Sequence, residues 1–254
     1  MKNICLITLL ALAAASCGGR GTSEVSKETP VDGDLPVYHI LKTASPIVID
    51  GVLDEADWQR APESSPFADI SGPGFPEPTR KSCFKALWDD DNLYIAGIVE
   101  EPDVQSRLRQ RDTIIWKEND FEVFLDPSGK GEGYFEIECN ALGTVMDLMM
   151  SRPYSEGGDF YMPWDCPGLE LKTSVDGSLN DSSDTDRGWT VEMAIPRKGL
   201  MWGFTSPESL KVWRANFSRV EWLRSDKEEN WVWSPTGKID IHIPSLWGYL
   251  YFDE

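Results

Sequence analysis

Histidine is scarce in this sequence, with only His39 and His242 among 254 residues. Neither lies in an H-E-x-x-H motif and no G-x-S-x-G is present, so the signatures of a zinc peptidase and of an α/β-hydrolase are both missing. A Ser-His-Asp triad is also hard to assemble from so few histidines. No two of the five cysteines are spaced as C-x-x-C, which argues against a cysteine zinc site.

Positive charge is also in short supply. Lysine and arginine number 24 against 43 aspartates and glutamates, which gives a net charge of −19 at pH 7. Such a surface repels phosphate backbones and anionic lipid headgroups. We therefore expect no nucleic acid partner, and contact with a membrane only through an anchor. Neutral sugars and cationic ligands remain compatible with this charge.

The apolar run from Ile4 to Ala14 is too short to span a membrane comfortably, and it follows the short positive segment Met1-Lys2-Asn3. Small residues come directly before Cys17, in a pattern that resembles a bacterial lipobox. This resemblance predicts a signal peptide over residues 1–16, cleavage before Cys17 and lipidation of that cysteine. The alternative is an ordinary secretory signal that is cleaved nearby.

The residues after the predicted cleavage site are rich in Gly, Ser, Thr, Glu and Pro, so 17–35 is expected to be a flexible tether. Gly18 after the cysteine, rather than Asp, favours sorting to the outer membrane. The prediction is an outer-membrane lipoprotein that faces either the periplasm or the cell surface.

Three cysteines lie outside the signal peptide and the lipid site, namely Cys83, Cys139 and Cys166. Because their number is odd, at least one is a free thiol or forms a disulfide with another molecule.

Residues 36–254 are predicted to form one all-β domain, an antiparallel β-sandwich of the jelly-roll type with a few short helical turns. The main reason is strict alternation of apolar and polar residues in the stretch Asp112–Asn140. Phe121 and Val123 alternate with acids, and the run from Phe135 to Asn140 repeats the pattern after a Gly-rich turn. About ten short strands are expected, and their polar faces are expected to be solvated.

Two local predictions concern the start of this domain. Ile47-Val48-Ile49 reads as a short strand before a turn, and Asp54 to Trp58 reads as one helical turn with Asp54 as its N-cap. Later strands are predicted at Glu170–Val175, Trp189–Ile195, Lys211–Trp222, Trp231–Pro235 and Gly248–Phe252.

Five segments in a fixed order resemble the family 9 carbohydrate-binding modules and their relatives among the DOMON-like β-sandwiches. They read I-D-G-x-L-D-E-A-D-W, L-W-D-D-D-N-L-Y-I-A, W-K-E-N-D-F-E-V-F-L-D-P, G-W-T-V-E-M-A-I-P and W-G-Y-L. The resemblance covers nearly all of residues 45–252. The lipobox and the acidic body look like the lipoprotein versions found in polysaccharide-degrading Bacteroidetes.

The resemblance implies a carbohydrate site on the concave sheet. In the family two tryptophans clamp a sugar ring, and the first clamp matches Trp116 while the family's glutamate matches Glu122. A polar pair on the next strand falls on Glu138 and Asn140, and the family's known sugar binder has arginine where this chain has Glu138.

The second clamp falls by spacing on Ile241, beside His242, so the aromatic sandwich is incomplete in this sequence. Trp231, Trp233 and Trp247 are the candidates for a replacement aromatic, and spacing alone does not choose among them. Arg214 could supply the missing cation; the alternative is a salt bridge from Arg214 to one of three acids, Glu122, Glu136 and Glu138.

No cofactor is predicted with certainty, and the resemblance allows a structural calcium ion. The acidic loop 176–186 offers many hard oxygens for it, although it is not an EF-hand, and the alternative is a solvated loop.

Glu122 and Glu138 could meet the spacing of glycosidase carboxyls, about 5–9 Å, but a solvated sheet face lacks the pocket that a general acid needs.

The sequence therefore predicts a lipid-anchored, non-catalytic module that binds a neutral or amino-sugar-containing oligosaccharide through Trp116, Glu122, Glu138, Asn140 and Arg214, in support of polysaccharide catabolism. The alternative is a subunit of a surface glycan-uptake complex that has lost its sugar site and contacts other proteins of that complex. A glycoside hydrolase is the third hypothesis.

Overall fold

The computed structural model describes residues 35–201, 203, 206–209, 211–223 and 227–254. The predicted signal peptide (1–16), the lipidation site Cys17 and nearly all of the predicted tether (17–35) lie outside these residues and stay predictions. Within the described part, no helix is both long and apolar enough to cross a membrane.

The described residues form one short α-helix, several 3-10 turns and thirteen strands, which confirms the all-β prediction. The helix α1 is Ala56–Arg60. The strands are β1 Val37–Lys42, β2 Ala68–Asp69, β3 Ser82–Trp88, β4 Asn92–Glu100, β5 Asp120–Asp126, β6 Tyr134–Asn140, β7 Val145–Met150, β8 Phe160–Tyr161, β9 Glu170–Asp176, β10 Gly188–Pro196, β11 Val212–Leu223, β12 Lys227–Val232 and β13 Gly248–Phe252.

The strands make two sheets that share β1, and the β-sandwich prediction is confirmed. The first sheet has the order β8-β7-β6-β5-β11-β13-β1, with β12 beside β11 and β2 beside β12; the second has the order β1-β3-β4-β10-β9. Strand β1 pairs in parallel with both β13 and β3, whereas the other strand pairs are antiparallel. Both sheets are therefore mixed, whereas the sequence predicts purely antiparallel sheets. A parallel pairing joins distant parts of the chain, so no turn motif in the sequence predicts it.

The alternation in β5 and β6 divides their side chains between two environments. Phe121 and Val123 of β5, with Ile137 and Cys139 of β6, lie in the main core between the sheets, as predicted. The other face is also buried, because a second apolar cluster covers it. That cluster consists of Ile115, Phe124, Tyr134, Met146, Leu148, Met150 and Trp247. The described cysteines Cys83, Cys139 and Cys166 are all buried and free.

The predicted strand at Ile47–Ile49 is wrong, because the backbone of this segment bonds to side chains instead of to a neighbouring strand. The Val48 N–H donates to Glu55 Oε1 at 3.0 Å. The Asp50 and Gly51 N–H groups donate to Glu192 Oε2 at 3.0 and 3.1 Å. The following helical turn is confirmed, but its N-cap is Glu55 rather than Asp54.

Glu192 of β10 is the buried anchor of this segment. Besides the two backbone donors, it accepts a hydrogen bond from Trp58 Nε1 at 2.8 Å. Gly51 must be glycine here, since its φ is +88° and an added Cβ would lie 2.7 Å from the Thr173 carbonyl carbon. The I-D-G and D-W parts of the sequence motif are thus tied to β10 through one carboxylate.

A buried ion network joins the two sheets, and the sequence did not predict it. Arg219 extends from the core face of β11 and is fully buried. Its Nη2 lies 3.3 Å from Glu101 Oε2 and also contacts Glu221, while its Nη1 donates to the Glu100 carbonyl at 2.8 Å. Trp189 Nε1 donates to the same Glu101 carboxylate at 2.9 Å. One guanidinium therefore links β11 of the first sheet to β4 of the second.

Candidate functional site

A cavity of about 400 Å³ opens on the face of the first sheet that points away from the main core. Its floor is built by alternate residues of adjacent strands, namely Glu122 and Phe124 of β5, Glu136 and Glu138 of β6, Met146 and Leu148 of β7, and Ser218 and Val220 of β11. Loops supply the walls through Trp116, Tyr154 and the segment 239–242. This volume lies in the range of about 300–1,000 Å³ that is typical of small-molecule sites.

Trp116 stands at the edge of this cavity and is 41% exposed. It sits in the 3-10 helix Ile115–Lys117, directly before β5, and the buried Ile115 anchors that turn in the second apolar cluster. The Trp116 carbonyl accepts a hydrogen bond from Trp222 Nε1 at 3.0 Å, which fixes the backbone of the turn. The indole is thereby presented to the cavity by a rigid support.

Glu122, Glu136 and Glu138 form a cluster of carboxyls on the cavity floor. Glu122 and Glu138 are directly opposite each other across the β5–β6 ladder. Ser218 Oγ donates to Glu122, and a carboxyl oxygen of Glu122 lies within 4.8 Å of one of Glu138. The expectation of a solvated acidic face is wrong, because the second apolar cluster and the loops bury this face.

Burial sets the protonation of this cluster. Desolvation raises the pKa of Glu136 to about 7, and it raises the pKa of Glu138 well above its usual range, with the neighbouring Glu122 and Glu136 charges adding to the effect. The pKa of Glu122 is also raised by burial.

Asn140 and Arg214 do not line the cavity. Asn140 is buried and bonds to the backbone of two neighbouring segments. Its Nδ2 donates to the Leu108 carbonyl at 2.8 Å, and its Oδ1 accepts from the Thr144 N–H at 3.0 Å. Arg214 donates to the Ser245 carbonyl at 3.1 Å and to the Tyr249 hydroxyl at 2.9 Å, rather than to the three glutamates. The structure thus brings Trp116, Glu122 and Glu138 together. The binding roles of all five residues stay predictions.

The position predicted for the second clamp does reach the cavity. Ile241 and His242 both line it. The three tryptophans considered as replacements, Trp231, Trp233 and Trp247, are buried in the apolar clusters instead.

Sequence reasoning missed two aromatic residues of the cavity, Tyr154 and Phe160. The Tyr154 ring packs edge-on against the His242 ring, with centroids 4.8 Å apart. Tyr154 lies in a three-residue 3-10 turn and Phe160 in a two-residue strand, and such short elements give no periodic signal.

His242 is a neutral wall of the cavity, with 16% of its side chain exposed. Burial lowers its pKa to about 4, against a smaller opposing effect of Asp240. Its Nδ1 shares a hydrogen bond of 2.9 Å with the Tyr134 hydroxyl, and its Nε2 lies 3.8 Å from Glu136 Oε2. The pKa of Glu136 is raised to about 7, so this carboxyl is mostly protonated below neutral pH. A neutral carboxyl does not stabilise a positive charge on the imidazole.

This lowered pKa of His242 predicts a pH-dependent stability. The folded state binds fewer protons than the unfolded state between about pH 4 and 6.5, so the stabilisation is present above about 6.5 and is lost as the pH falls toward 4. We expect the unfolding free energy of wild type minus that of His242→Gln to shrink by up to about 1.4 kcal/mol per pH unit in this window. Urea unfolding at several pH values measures it.

The matched control is His39→Gln, at an exposed position beside Asp253. Its difference from wild type is expected to stay within about 0.5 kcal/mol at every pH, as for other surface substitutions. A His242 difference that is flat with pH, or that grows as the pH falls, would contradict the prediction.

The acidic loop 176–186 does not fit the calcium ion that the resemblance allows. Asp186 accepts hydrogen bonds from the Val104 and Ser178 N–H groups, both at 2.7 Å. Asp184 accepts from Ser178 Oγ, and Asp176 pairs with Arg187. The carboxylates of Asp176, Asp184 and Asp186 therefore already accept hydrogen bonds or pair with groups of the protein. Among the described residues, the acid groups close enough to share a metal ion lie elsewhere.

A β-sandwich with a cavity that has an aromatic edge and a carboxyl floor has the architecture of a ligand-binding module. Residues 49–212 match the family described as "Carbohydrate family 9 binding domain-like", and the chain belongs to this family. The match confirms the family 9 resemblance. The family is one of binding domains, so the matched region is a binding module and not a catalytic domain.

Two curated relatives share a short segment with this chain. They are the endo-1,4-beta-xylanases A of Thermotoga neapolitana and Thermotoga maritima, which are 30% and 32% identical over 89 residues. The segment is 35% of this chain and only 8% of each xylanase.

Three solved structures share the fold across most of the chain, each at 18% sequence identity. A Bacteroides uniformis protein, described as a candidate carbohydrate-binding protein, has a TM-score of 0.69 and covers 85% of this chain and 99% of its own. A family 9 module of Caldicellulosiruptor kristjanssonii has TM-scores of 0.57 in complex with cellotriose and 0.56 in complex with glucose. These complexes cover 86% and 85% of this chain, and 94% and 95% of theirs.

Proposed function

We propose that this protein binds an oligosaccharide in the cavity edged by Trp116. The observation that carries the proposal is a part-exposed indole beside buried carboxyls that line the same cavity. Membership of the family 9 binding domains supports it, and so do the structural neighbours bound to cellotriose and glucose.

The chemistry of the cavity suits a sugar. The C–H face of a pyranose ring packs on an aromatic face, and its hydroxyl groups donate strong hydrogen bonds to carboxylates. Trp116 supplies the aromatic face, and Glu122 and Glu138 supply acceptors that have few protein donors of their own. In this proposal Asn140 and Arg214 support the surrounding turns and strands, and Tyr154 and Phe160 join Trp116 as aromatic walls.

The setting of this module is also part of the proposal. Lipidation at Cys17 would tether it to the outer membrane, facing the periplasm or the cell surface, where it would hold glycans for degradation. The lipobox-like sequence before Cys17 and the acidic body support this setting.

Replacing Trp116 with alanine is expected to weaken glycan binding by at least about tenfold, equivalent to about 1.4 kcal/mol, because the stacking surface is lost. The full chain is titrated calorimetrically with a panel of plant and host oligosaccharides, at concentrations that detect a Kd on the order of 1 mM. The matched control is Phe75→Ala, which removes an aromatic side chain that is 54% exposed but lies outside the cavity.

Binding that survives in Trp116→Ala would keep the function but move the site. Equal losses in both variants would show a general effect on the fold. If the wild-type protein gives no binding heat with any oligosaccharide of the panel, the sugar site is rejected. The alternative, an interaction subunit of a glycan-uptake complex, is then favoured.

A further inference from the structure

Two groups of three acids in the described residues bring their carboxylate oxygens within 4.8 Å of one another. One consists of Asp112, Asp147 and Asp165, and the other consists of Asp120, Glu122 and Glu138. Like charges at this distance repel, most strongly where all of them are buried, and protons or a cation relieve the repulsion. The two groups differ in whether the protein supplies that cation.

The first group already has its cation. Arg111 contacts Asp147, and its Nε lies 2.8 Å from Asp165 and 3.8 Å from Asp112. Asp147 also accepts a hydrogen bond from the Cys166 N–H at 2.6 Å. The guanidinium therefore compensates this group, and a metal ion would have to displace it.

The second group, which we call the floor triad, has no such partner among the described residues. Asp120, Glu122 and Glu138 are 0%, 6% and 1% exposed, and no described lysine or arginine forms a salt bridge with any of them. Arg219 acts on Asp120 only through its field, while its guanidinium pairs with Glu101 and Glu221.

The floor triad also contains buried oxygens without donors. Asp120 Oδ1 accepts from the Val220 N–H at 2.7 Å, and Glu122 accepts from Ser218 Oγ. Apart from contacts among the acids themselves, Asp120 Oδ2 and Glu138 Oε2 have no hydrogen-bond donor. Native proteins rarely leave buried polar atoms unsatisfied, and a bound ion is one way to satisfy oxygen atoms that lie as close together as these.

The ligand type and spacing fit a hard divalent cation. Calcium takes carboxylate oxygens at about 2.3–2.6 Å in flexible geometry, so oxygens up to about 5 Å apart can share one ion. Magnesium demands about 2.0–2.1 Å and a regular octahedron, which this spacing suits less well. Glu122 and Glu138 line the cavity, so an ion held by them could complete its coordination with ligand hydroxyls.

We propose that the floor triad of Asp120, Glu122 and Glu138 binds a calcium ion, and that this ion takes part in holding the glycan. The second half of this inference rests on the proposed sugar site, whereas the first half does not. The position is distinct from the acidic loop 176–186.

The test uses the full chain after treatment with EDTA and removal of the chelator. Terbium is added as a calcium analogue and its luminescence is excited through tryptophan, with Trp116 in the same cavity as one donor. Calcium alone is then titrated calorimetrically. We expect one saturable site, luminescence that calcium displaces, and binding at least about tenfold weaker in Glu138→Gln and in Asp120→Asn, which keep side-chain size.

Two matched controls remove a carboxylate elsewhere. Asp165→Asn changes the group already served by Arg111, and Asp184→Asn changes the acidic loop, and both are expected to leave calcium binding unchanged. Thermal unfolding of every variant without metal shows whether it folds. Wild-type protein that binds no calcium at millimolar concentration would overturn the proposal, as would binding that Glu138→Gln and Asp120→Asn retain or that Asp184→Asn alone abolishes.

Glycan titrations with calcium and with EDTA separate this inference from the proposed function. Glycan binding that is lost in EDTA and restored by calcium supports both. Glycan binding that is equal in EDTA and calcium overturns the role of the ion but keeps the sugar site. Calcium binding at the floor triad without any glycan binding keeps the metal site and rejects the proposed function.

Discussion

Replacing Arg219 with leucine is expected to lower the free energy of unfolding by about 3–5 kcal/mol, because it leaves two buried carboxylates without their shared cation. Arg219 and Glu101 are almost fully removed from solvent, and Glu221 is 5% exposed. The guanidinium also satisfies the Glu100 carbonyl of β4, so the substitution opens a contact between the two sheets. Urea unfolding should be measured near pH 8, because burial raises the pKa of Glu221 to about 7.

The matched control for Arg219 is Arg187→Leu, which breaks an ion pair of the same kind with Asp176 at a site where the Arg187 side chain is 83% exposed. Exposed pairs contribute at most about 1 kcal/mol, so this variant is expected to unfold almost as wild type does. Adding Glu221→Gln to Arg219→Leu is expected to recover part of the loss, because one uncompensated charge is removed. Equal effects of Arg219→Leu and Arg187→Leu would contradict the assigned role of the buried network.

Replacing Glu192 with leucine is expected to lower the unfolding free energy by about 3–4 kcal/mol, because three donors lose the buried carboxyl group that accepts their hydrogen bonds. These donors are the Asp50 and Gly51 N–H groups and Trp58 Nε1. The segment around Ile49 has its backbone bonds to this carboxylate instead of to a strand, so it should detach first. Hydrogen exchange of the Gly51 amide, measured beside global unfolding, should report that local loss.

Glu170→Leu is the control for Glu192, since Glu170 lies exposed on β9 at the edge of the same sheet. It makes the same chemical change and is expected to alter stability by no more than about 0.5 kcal/mol. If Glu192→Leu leaves the Gly51 amide protected, then the carboxylate is not what holds this segment against β10.

Some features of the candidate site were predictable because local patterns encode them. The alternation around Phe121 and Ile137 fixes which residues face the core, and it places Glu122 and Glu138 together on the opposite face. Trp116 was singled out by the resemblance to the family 9 modules, and it lies in the turn before β5 at the edge of the cavity. Tyr154 and Phe160 were missed, because they reach the cavity from elements of two or three residues.

Local pattern alone therefore determined the all-β class, the β5–β6 pair and the last strand, Gly248–Phe252. Only the tertiary structure decided that β1 pairs in parallel with two strands, that Arg219 joins the sheets and that Glu192 replaces a strand partner for Asp50. It also decided that the acids of the floor triad are buried rather than solvated. The physical reason is that periodicity tells which residues share a face, whereas burial and ionic partners depend on distant segments that come to cover that face.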